Sequence, residues 1–336
     1  MEKLRVAIIG CGRISEKHFK SVIKSEYASL VACCDIKTDR ARNAASLYNC
    51  RSYSDYRTLL SEEKPDVVQI CLPHYLHSEV SVAAMESGSH VLCEKPMDIN
   101  YQKAEWATKR AKELGRLYGI ISQCRYNPTS QFVKKALESG KAGKILSVTS
   151  TLTWARDDLY YSGSDWKGTW DKEGGGVIID QAIHSIDLAN WLIGSEVKDV
   201  AATIAVQGHS KIQVEDTACG LICYENGVRY GFYCMNNCCC NEPIEIKFFC
   251  ENAKIILSYD WAKIAWKDGS EEVLDLTDRM DKSLGDKSYW GVSHIEQINQ
   301  FYRSVLGLEE LEISAEEALK THALICKIYE KAGIAK

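Results

Sequence analysis

Proline is scarce in this chain, at 5 of 336 residues, and there is no low-complexity tract or block of like charge. Long disordered regions are therefore not expected. No apolar run approaches the roughly 20 residues that a membrane span needs, which argues against a membrane protein. A basic excess is also missing, since 41 Lys and Arg stand against 46 Asp and Glu, for a net charge of −5. Without a basic stripe, nucleic acid and anionic membranes are not expected as partners. The start, Met1-Glu2-Lys3-Leu4 and a short apolar run ending at Gly10, lacks the length and flanks of a secretory signal. No internal repeat is visible.

What the chain has in abundance is cysteine, 15 residues. An odd count without an export signal points to a reducing cytoplasm rather than a disulfide framework. A chain of 336 residues carries an expectation of two domains, at about 150 residues each.

Apolar runs alternate with helical patterns over the first third. Runs at 4–9, 30–34, 67–72, 90–93 and 117–121 read as buried parallel strands. Helix-like stretches lie between them at 13–25, 37–47, 77–87 and 101–114, with Thr38 or Asp39 as candidate caps for the second. This alternation predicts a doubly wound parallel sheet. Beyond it, runs at 145–155, 200–207, 217–224, 228–233, 244–249 and 254–258 have few helices between them and hairpin-like turns such as Asn226-Gly227. They predict a mostly antiparallel sheet. The expected fold is α/β with domains at 1–122 and 123–336. Helices are expected near 178–193, 292–306 and 314–332, and the last two leave open which domain they pack on.

Gly10-Cys11-Gly12-Arg13-Ile14-Ser15 follows a strand and opens a helix. Gly10 allows a tight turn, and Gly12 lets the backbone approach a pyrophosphate seated on the helix N-terminus. Ser15 stands where a third glycine is usual. Asp35 ends the second strand, where a carboxylate accepts hydrogen bonds from a ribose and repels a 2′-phosphate. NAD is therefore expected as cofactor, with NADP left open by nearby Lys37. A plain tight turn is the competing reading.

Cys93-Glu94-Lys95-Pro96 ends another strand, on the side where open α/β sheets bind ligands. A lysine there can hydrogen-bond a substrate oxygen and favour developing negative charge. A solvated turn lysine is the alternative. Further on, Gly174-Gly175-Gly176 precedes Asp180, His184 and Asp187, spaced i, i+4 and i+7 on one helical face. A histidine beside carboxylates can serve as a general base near neutral pH, and the glycines would allow close approach of backbone and ligand. The rival readings are helix punctuation with a buried histidine, and a metal site. No further ligand lies nearby in sequence, so no metal is expected.

With these pieces in order, the chain resembles the glucose–fructose oxidoreductase / inositol dehydrogenase (Gfo/Idh/MocA) family over essentially its full length. The matching residues are the strand and turn Val6-Ala7-Ile8-Ile9-Gly10-Cys11-Gly12-Arg13-Ile14, Asp35, the run Asp66 to Pro73 with His77, and Cys93-Glu94-Lys95-Pro96. Arg125-Tyr126-Asn127-Pro128, the glycine–Asp–His segment, Val214-Glu215-Asp216-Thr217 and the closing helices complete the likeness. The resemblance implies a Rossmann domain and a C-terminal α+β domain whose sheet forms a homodimer or homotetramer. It also implies nicotinamide-dependent hydride transfer at a secondary hydroxyl or ketone of a sugar, glycoside or cyclitol. On this likeness Lys95, Asp180 and His184 are catalytic. Gly10, Gly12, Arg13, Ile14, Asp35, Leu72, Pro73, His77, Glu94, Lys95 and Gln123 are expected at the cofactor.

Trp154, Arg156, Asp157, Asp158, Tyr160, Tyr161, Trp166 and Trp170 precede the Asp–His helix. Aromatic faces stack on sugar C–H surfaces, while Arg and carboxylates bind hydroxyls. Packing or an oligomer contact would use the same residues. The expected substrate side is Lys95, Arg125, Tyr126, Trp154, Arg156, Tyr160, Trp166, Asp180, His184 and His294. The last belongs to Trp290-Gly291-Val292-Ser293-His294, which is similar to a substrate-side segment of relatives; His294 could instead simply start the following helix. A nucleotide-sugar 3-dehydrogenase, with Arg156 meeting a uronate, is the alternative enzyme. A non-catalytic dinucleotide or sugar sensor is the alternative class. Cys238-Cys239-Cys240 motivates a third idea, a thiol-based redox or metal sensor. Adjacent residues on a strand point to opposite faces, so a four-ligand zinc site is not expected there.

Overall fold

The computed structural model describes residues 2–277 and 293–334. The chain divides into two compact units, 1–122 with 293–322, and 123–292 with 323–336.

The first unit holds six strands, β1 (Leu4–Ile9), β2 (Ala28–Cys34), β3 (Arg51–Tyr53), β4 (Val67–Ile70), β5 (His90–Cys93) and β6 (Tyr118–Ile120). All pair in parallel, in the order β3-β2-β1-β4-β5-β6. Chain order reverses between β1 and β4, which makes their carboxyl ends the place where such sheets bind ligands. Every residue of β4, and five of six in β1, is buried. That explains their continuous apolar runs, because a parallel sheet carries helices on both faces. The helices are α1 (Ser15–Lys24), α2 (Thr38–Tyr48), α3 (Tyr56–Glu63), α4 (His77–Glu86) and α5 (Tyr101–Leu114). Asp55 caps α3 and Asn100 caps α5 through their side chains. Lys37, not Thr38 or Asp39, occupies the cap position of α2. A later helix, His294–Val305, sends Ile298, Phe301 and Tyr302 into this unit's core. The Phe301 ring lies against Gly119, where a Cβ would come within 2.9 Å of it.

The second unit is an eight-stranded sheet. Its strands are β7 (Ile145–Thr153), β8 (Val197–Ala205), β9 (Thr217–Tyr224), β10 (Arg229–Met235), β11 (Glu245–Cys250), β12 (Ala253–Leu257), β13 (Trp261–Trp266) and β14 (Glu271–Asp275). The order is β14-β13-β12-β11-β7-β10-β9-β8. All neighbours are antiparallel except β7 and β10, which pair in parallel. Gly227, with φ +89°, closes the β9–β10 hairpin, and the Tyr224 N–H donates to Val228 O at 3.0 Å. One face of the sheet packs on α6 (Pro128–Glu138), on the 178–193 helical segment and on residues 324–329. A short helix, α7 (Asp158–Ser162), lies in the aromatic segment.

The helix expected at 178–193 is not uniform. Ile178–Ala182 forms a π-turn, and α8 (Ile183–Ile193) continues from it as an α-helix. A π-turn bonds i to i+5 and shifts the phase of the residues after it, so simple α spacing misplaces their side chains. Among the described residues, no helix is long and apolar enough to cross a membrane.

Candidate active site

Gly10 follows β1 with φ +100°, and a Cβ there would lie 2.2 Å from the Cys71 carbonyl oxygen, just beyond β4. Glycine is required by both conformation and space. Gly12 is different, because a Cβ on it would meet nothing within 4 Å. The turn therefore opens at Gly12, beside the first turn of α1, whose amides lack intrahelical acceptors. Arg13 is exposed and Ile14 half-buried. Ser15 Oγ donates to the Gly12 carbonyl at 2.6 Å, which closes the turn where a third glycine is usual. Asp35 sits beside it at the end of β2. Its carboxylate accepts from the Cys11 amide at 2.9 Å and the Lys37 amide at 2.8 Å. An open glycine cradle at a helix start, with a fixed carboxylate one strand away, suits a dinucleotide.

Several residues expected at ligands are occupied within the first unit. His77 is fully buried, and its ring nitrogens lie 2.6 Å from Pro96 O and 2.8 Å from Leu72 O. It ties the Leu72-Pro73 segment to the peptide after Lys95. Burial holds the His77 ring below its ordinary pKa. Glu94 is buried as well. Its Oε1 meets His18 Nε2 at 3.0 Å and His294 Nε2 at 3.3 Å, while Oε2 accepts from the Lys95 amide at 3.2 Å. Burial opposes its ionisation, yet the two histidines outweigh that and keep the carboxyl well below the usual range. His294 itself begins its helix and is buried against Glu94. Trp290, Gly291 and Val292 lie outside the described residues. Lys95 is half-buried, next to the cis Lys95–Pro96 bond.

The second unit builds its own polar centre. Asp180 lies in the π-turn, and three donors converge on its Oδ2. They are Tyr160 Oη at 2.6 Å, Lys167 Nζ at 2.7 Å and Gln181 Nε2 at 2.6 Å. Lys167, which the sequence patterns did not single out, also bonds Glu173 Oε1 at 3.1 Å and is only 14% exposed. Burial favours its neutral amine, but Asp180, Tyr160 and Glu173 outweigh this and hold the ammonium well above its ordinary range. Burial, then Asp180, pushes the Tyr160 phenol up to about 12. Burial likewise raises Glu173 to about 7, against the pull of Lys167. The Glu173 carboxylate also accepts from the Gly168 amide.

The start of this segment is held by Glu215. Its carboxylate accepts from the Gly176 amide at 2.9 Å, the Ile178 amide at 3.0 Å and Tyr329 Oη at 2.7 Å. A Cβ on Gly176 would lie 1.9 Å from Glu215 O, and one on Gly175 would lie 2.0 Å from Tyr329 Oη. The expected close approach at these glycines is thus to the protein itself. His184 follows one turn into the segment and is half-buried.

Arg125 is paired within the second unit. Its Nε and Nη2 donate to both oxygens of Asp187, at 2.8 and 2.6 Å, and both side chains are nearly buried. Asp187 is thus held by a bidentate arginine. Gln123 is buried and Tyr126 half-buried in the short helical turn Gln123–Tyr126. Trp154 is buried, and the Arg156 guanidinium lies 4.8 Å over its ring and 5.4 Å over that of Tyr160. Trp166 is half-buried, with Lys167 Nζ 4.7 Å over its ring.

A parallel sheet in this order, with a glycine cradle and an acid at adjacent strand ends, defines a dinucleotide-binding domain of the Rossmann type. A family model described as an oxidoreductase family with an NAD-binding Rossmann fold matches residues 4–122, and the GFO/IDH/MocA C-terminal domain model matches 130–256. The chain belongs to the Gfo/Idh/MocA family of NAD-binding oxidoreductases. It is 27% identical to D-glucoside 3-dehydrogenase of Escherichia coli K12, over 98% of this chain and 95% of that protein. Inositol 2-dehydrogenase of Rhizobium meliloti is 30% identical over 60% of this chain and 59% of its own length. Among solved structures, a dehydrogenase from Bordetella pertussis in complex with NADH and UDP-GlcNAcA superimposes with a TM-score of 0.86. It is 26% identical and covers 99% of this chain and 97% of its own.

Proposed function

We propose that this chain oxidises or reduces a secondary hydroxyl or ketone of a sugar, glycoside or cyclitol, with Lys95, Asp180 and His184 carrying the chemistry. The observation that carries this reading is the buried cluster around Asp180. A carboxylate fixed by Lys167, Tyr160 and Gln181 is a preorganised anchor for a polyhydroxylated ligand. The aromatic and arginine surface of Trp154, Arg156, Tyr160 and Trp166 adds faces for sugar C–H groups. The likeness to D-glucoside 3-dehydrogenase over nearly the whole chain supports the same substrate class.

In the cofactor domain, the open turn at Gly12 and the start of α1 would hold the pyrophosphate of NAD, and Asp35 a ribose. Bound NAD supplies the acceptor or donor of hydride at the carbinol carbon. In the oxidative direction His184 takes the hydroxyl proton. Lys95 donates a hydrogen bond to the same oxygen and favours its developing charge. Asp180 orients the substrate, and Lys167 and Tyr160 hold Asp180 in place. Glu94 and His77 act behind Lys95 by fixing the backbone on either side of it.

The open face of the eight-stranded sheet carries the exposed Leu221, Tyr233 and Val273, which supports a homo-oligomer formed through that sheet. Fifteen free thiols fit a reducing cytoplasm.

A panel of pyranosides, inositols and UDP-sugar uronates, run with NAD and NADP and followed by absorbance of the reduced nicotinamide, tests the assignment. Turnover of a free sugar, glycoside or cyclitol with NAD is expected. Exclusive turnover of a UDP-sugar would move the substrate to the nucleotide-sugar class. NADH binding without any turnover would sink the enzyme reading in favour of a sensor.

A further inference from the structure

Cys238, Cys239 and Cys240 take no part in the centre described above. As a strand, this triplet would point its thiols to opposite faces. The structure removes that objection, because β10 ends at Met235 and residues 238–240 form a bend. Their three Sγ atoms lie within 4.8 Å of one another. Cys239 Sγ is 3.8 Å from Cys240 Sγ, which in turn is 3.4 Å from Glu242 Oε1. Tetrahedral metal sites with bonds of about 2.3 Å to sulfur separate neighbouring sulfurs by about 3.8 Å.

The bend is anchored on both sides. The Cys238 amide donates to Trp154 O at 3.0 Å, and the Glu242 amide to Thr153 O at 2.9 Å. Asn241 Oδ1 accepts from the Ala155 amide at 3.1 Å and from Arg156 Nη1 at 3.0 Å. Trp154 Nε1 donates to Glu242 O at 3.2 Å. Little further ordering is needed to close the thiols on an ion, which lowers the cost of binding. Cys239 and Cys240 are exposed and Cys238 half-buried, so an ion has direct access.

We propose that Cys238, Cys239 and Cys240, with Glu242 as a fourth donor, form a binding site for one thiophilic divalent cation of the zinc and cadmium class. On binding, three S–H bonds give up their protons to solvent and three sulfur–metal bonds form, with no change of oxidation state. The Glu242 carboxylate supplies an oxygen to the fourth position. Soft thiolate ligands select this class of ion over magnesium or calcium.

The test is a titration of the reduced, metal-free chain with cadmium(II), read by ultraviolet sulfur-to-metal charge transfer and by competition with a chelator. Two variants are compared, Cys239→Ser/Cys240→Ser, which alters exposed side chains, and Cys219→Ser, which removes an exposed thiol of β9. One tight equivalent is expected in the native chain and in Cys219→Ser, with affinity at least a hundredfold lower in the double variant. Glu242→Gln is expected to weaken binding about tenfold. Equal affinity in the native chain and the double variant overturns the proposal, as does the absence of a charge-transfer band at one equivalent of cadmium.

Discussion

Lys167 Nζ lies 2.7 Å from Asp180 Oδ2, and this buried ion pair joins the aromatic segment to the π-turn. Removing the lysine leaves Asp180 and Glu173 facing each other without their shared cation. Lys167→Met is expected to destabilise the second unit by about 3 to 5 kcal/mol, the usual cost of breaking a buried pair. Under the proposed role of Asp180, kcat/KM falls about a hundredfold, while NADH binding to the other unit is unchanged. Lys167→Arg restores part of the loss. Denaturant melts, NADH fluorescence titrations and steady-state kinetics separate these effects.

Glu173 gives the same cluster a pH dependence. Its carboxyl is raised from an ordinary 4.5 to about 7, so the folded state holds a proton that the unfolded chain releases. The stabilisation from that proton is complete below about 4.5 and is lost as pH rises through about 7. Thermal melts from pH 5 to 8, run on the native chain and on Glu173→Gln, are expected to diverge across that window. The native chain loses stability relative to the variant as pH rises. A constant difference would show that Glu173 titrates in its ordinary range.

Asp35 is held by two amides at the mouth of the glycine turn, and in the proposed cofactor site it also meets the ribose. Asp35→Ala is expected to weaken NADH binding at least tenfold and NADPH binding less, because the repulsion of a 2′-phosphate goes with the carboxylate. Parallel fluorescence titrations with the two nucleotides measure the ratio.

The Arg125–Asp187 pair yields an opposite pattern. Arg125→Met leaves a buried carboxylate uncompensated and is expected to cost about 3 to 5 kcal/mol. Arg125→Met/Asp187→Leu recovers much of that loss, since two apolar groups replace the pair. A substrate-binding arginine would behave differently, raising KM in the single and double variants alike. A double-mutant cycle in urea, together with KM values, tells the two apart.

The cofactor domain was legible because its signals are local. A buried parallel strand must be apolar throughout, and the Gly10 turn and Asp35 sit at its end. The short edge strand Arg51–Tyr53 offers only three residues and one partner, too little to show a period. At the far edge of the second sheet, Glu271–Asp275 is mostly exposed and charged, as edges often are. In Trp261–Trp266 the burial alternates, but lysine and tryptophan side chains on its open face blur the pattern. The Asp180 segment was found by its residue types, yet its π-turn left no mark, because an i to i+5 bond has no compositional signal. Lys167 was missed for a related reason. Its partners Asp180 and Glu173 lie 13 and 6 residues away, joined only through the loop around Gly168. The carboxylate partners of Arg125 and His294 lie 62 and 200 residues away, which no local pattern reveals.

The proposed function requires both Lys95 and His184 in the hydride-transfer step. Single-turnover hydride transfer, measured in Lys95→Ala and His184→Ala at saturating NAD with a substrate from the panel, tests it most directly. Each variant is expected to bind NADH normally and to transfer hydride at least a hundredfold more slowly, with the pH dependence of the proton transfer absent in His184→Ala. Rates close to the native enzyme in both variants would contradict it.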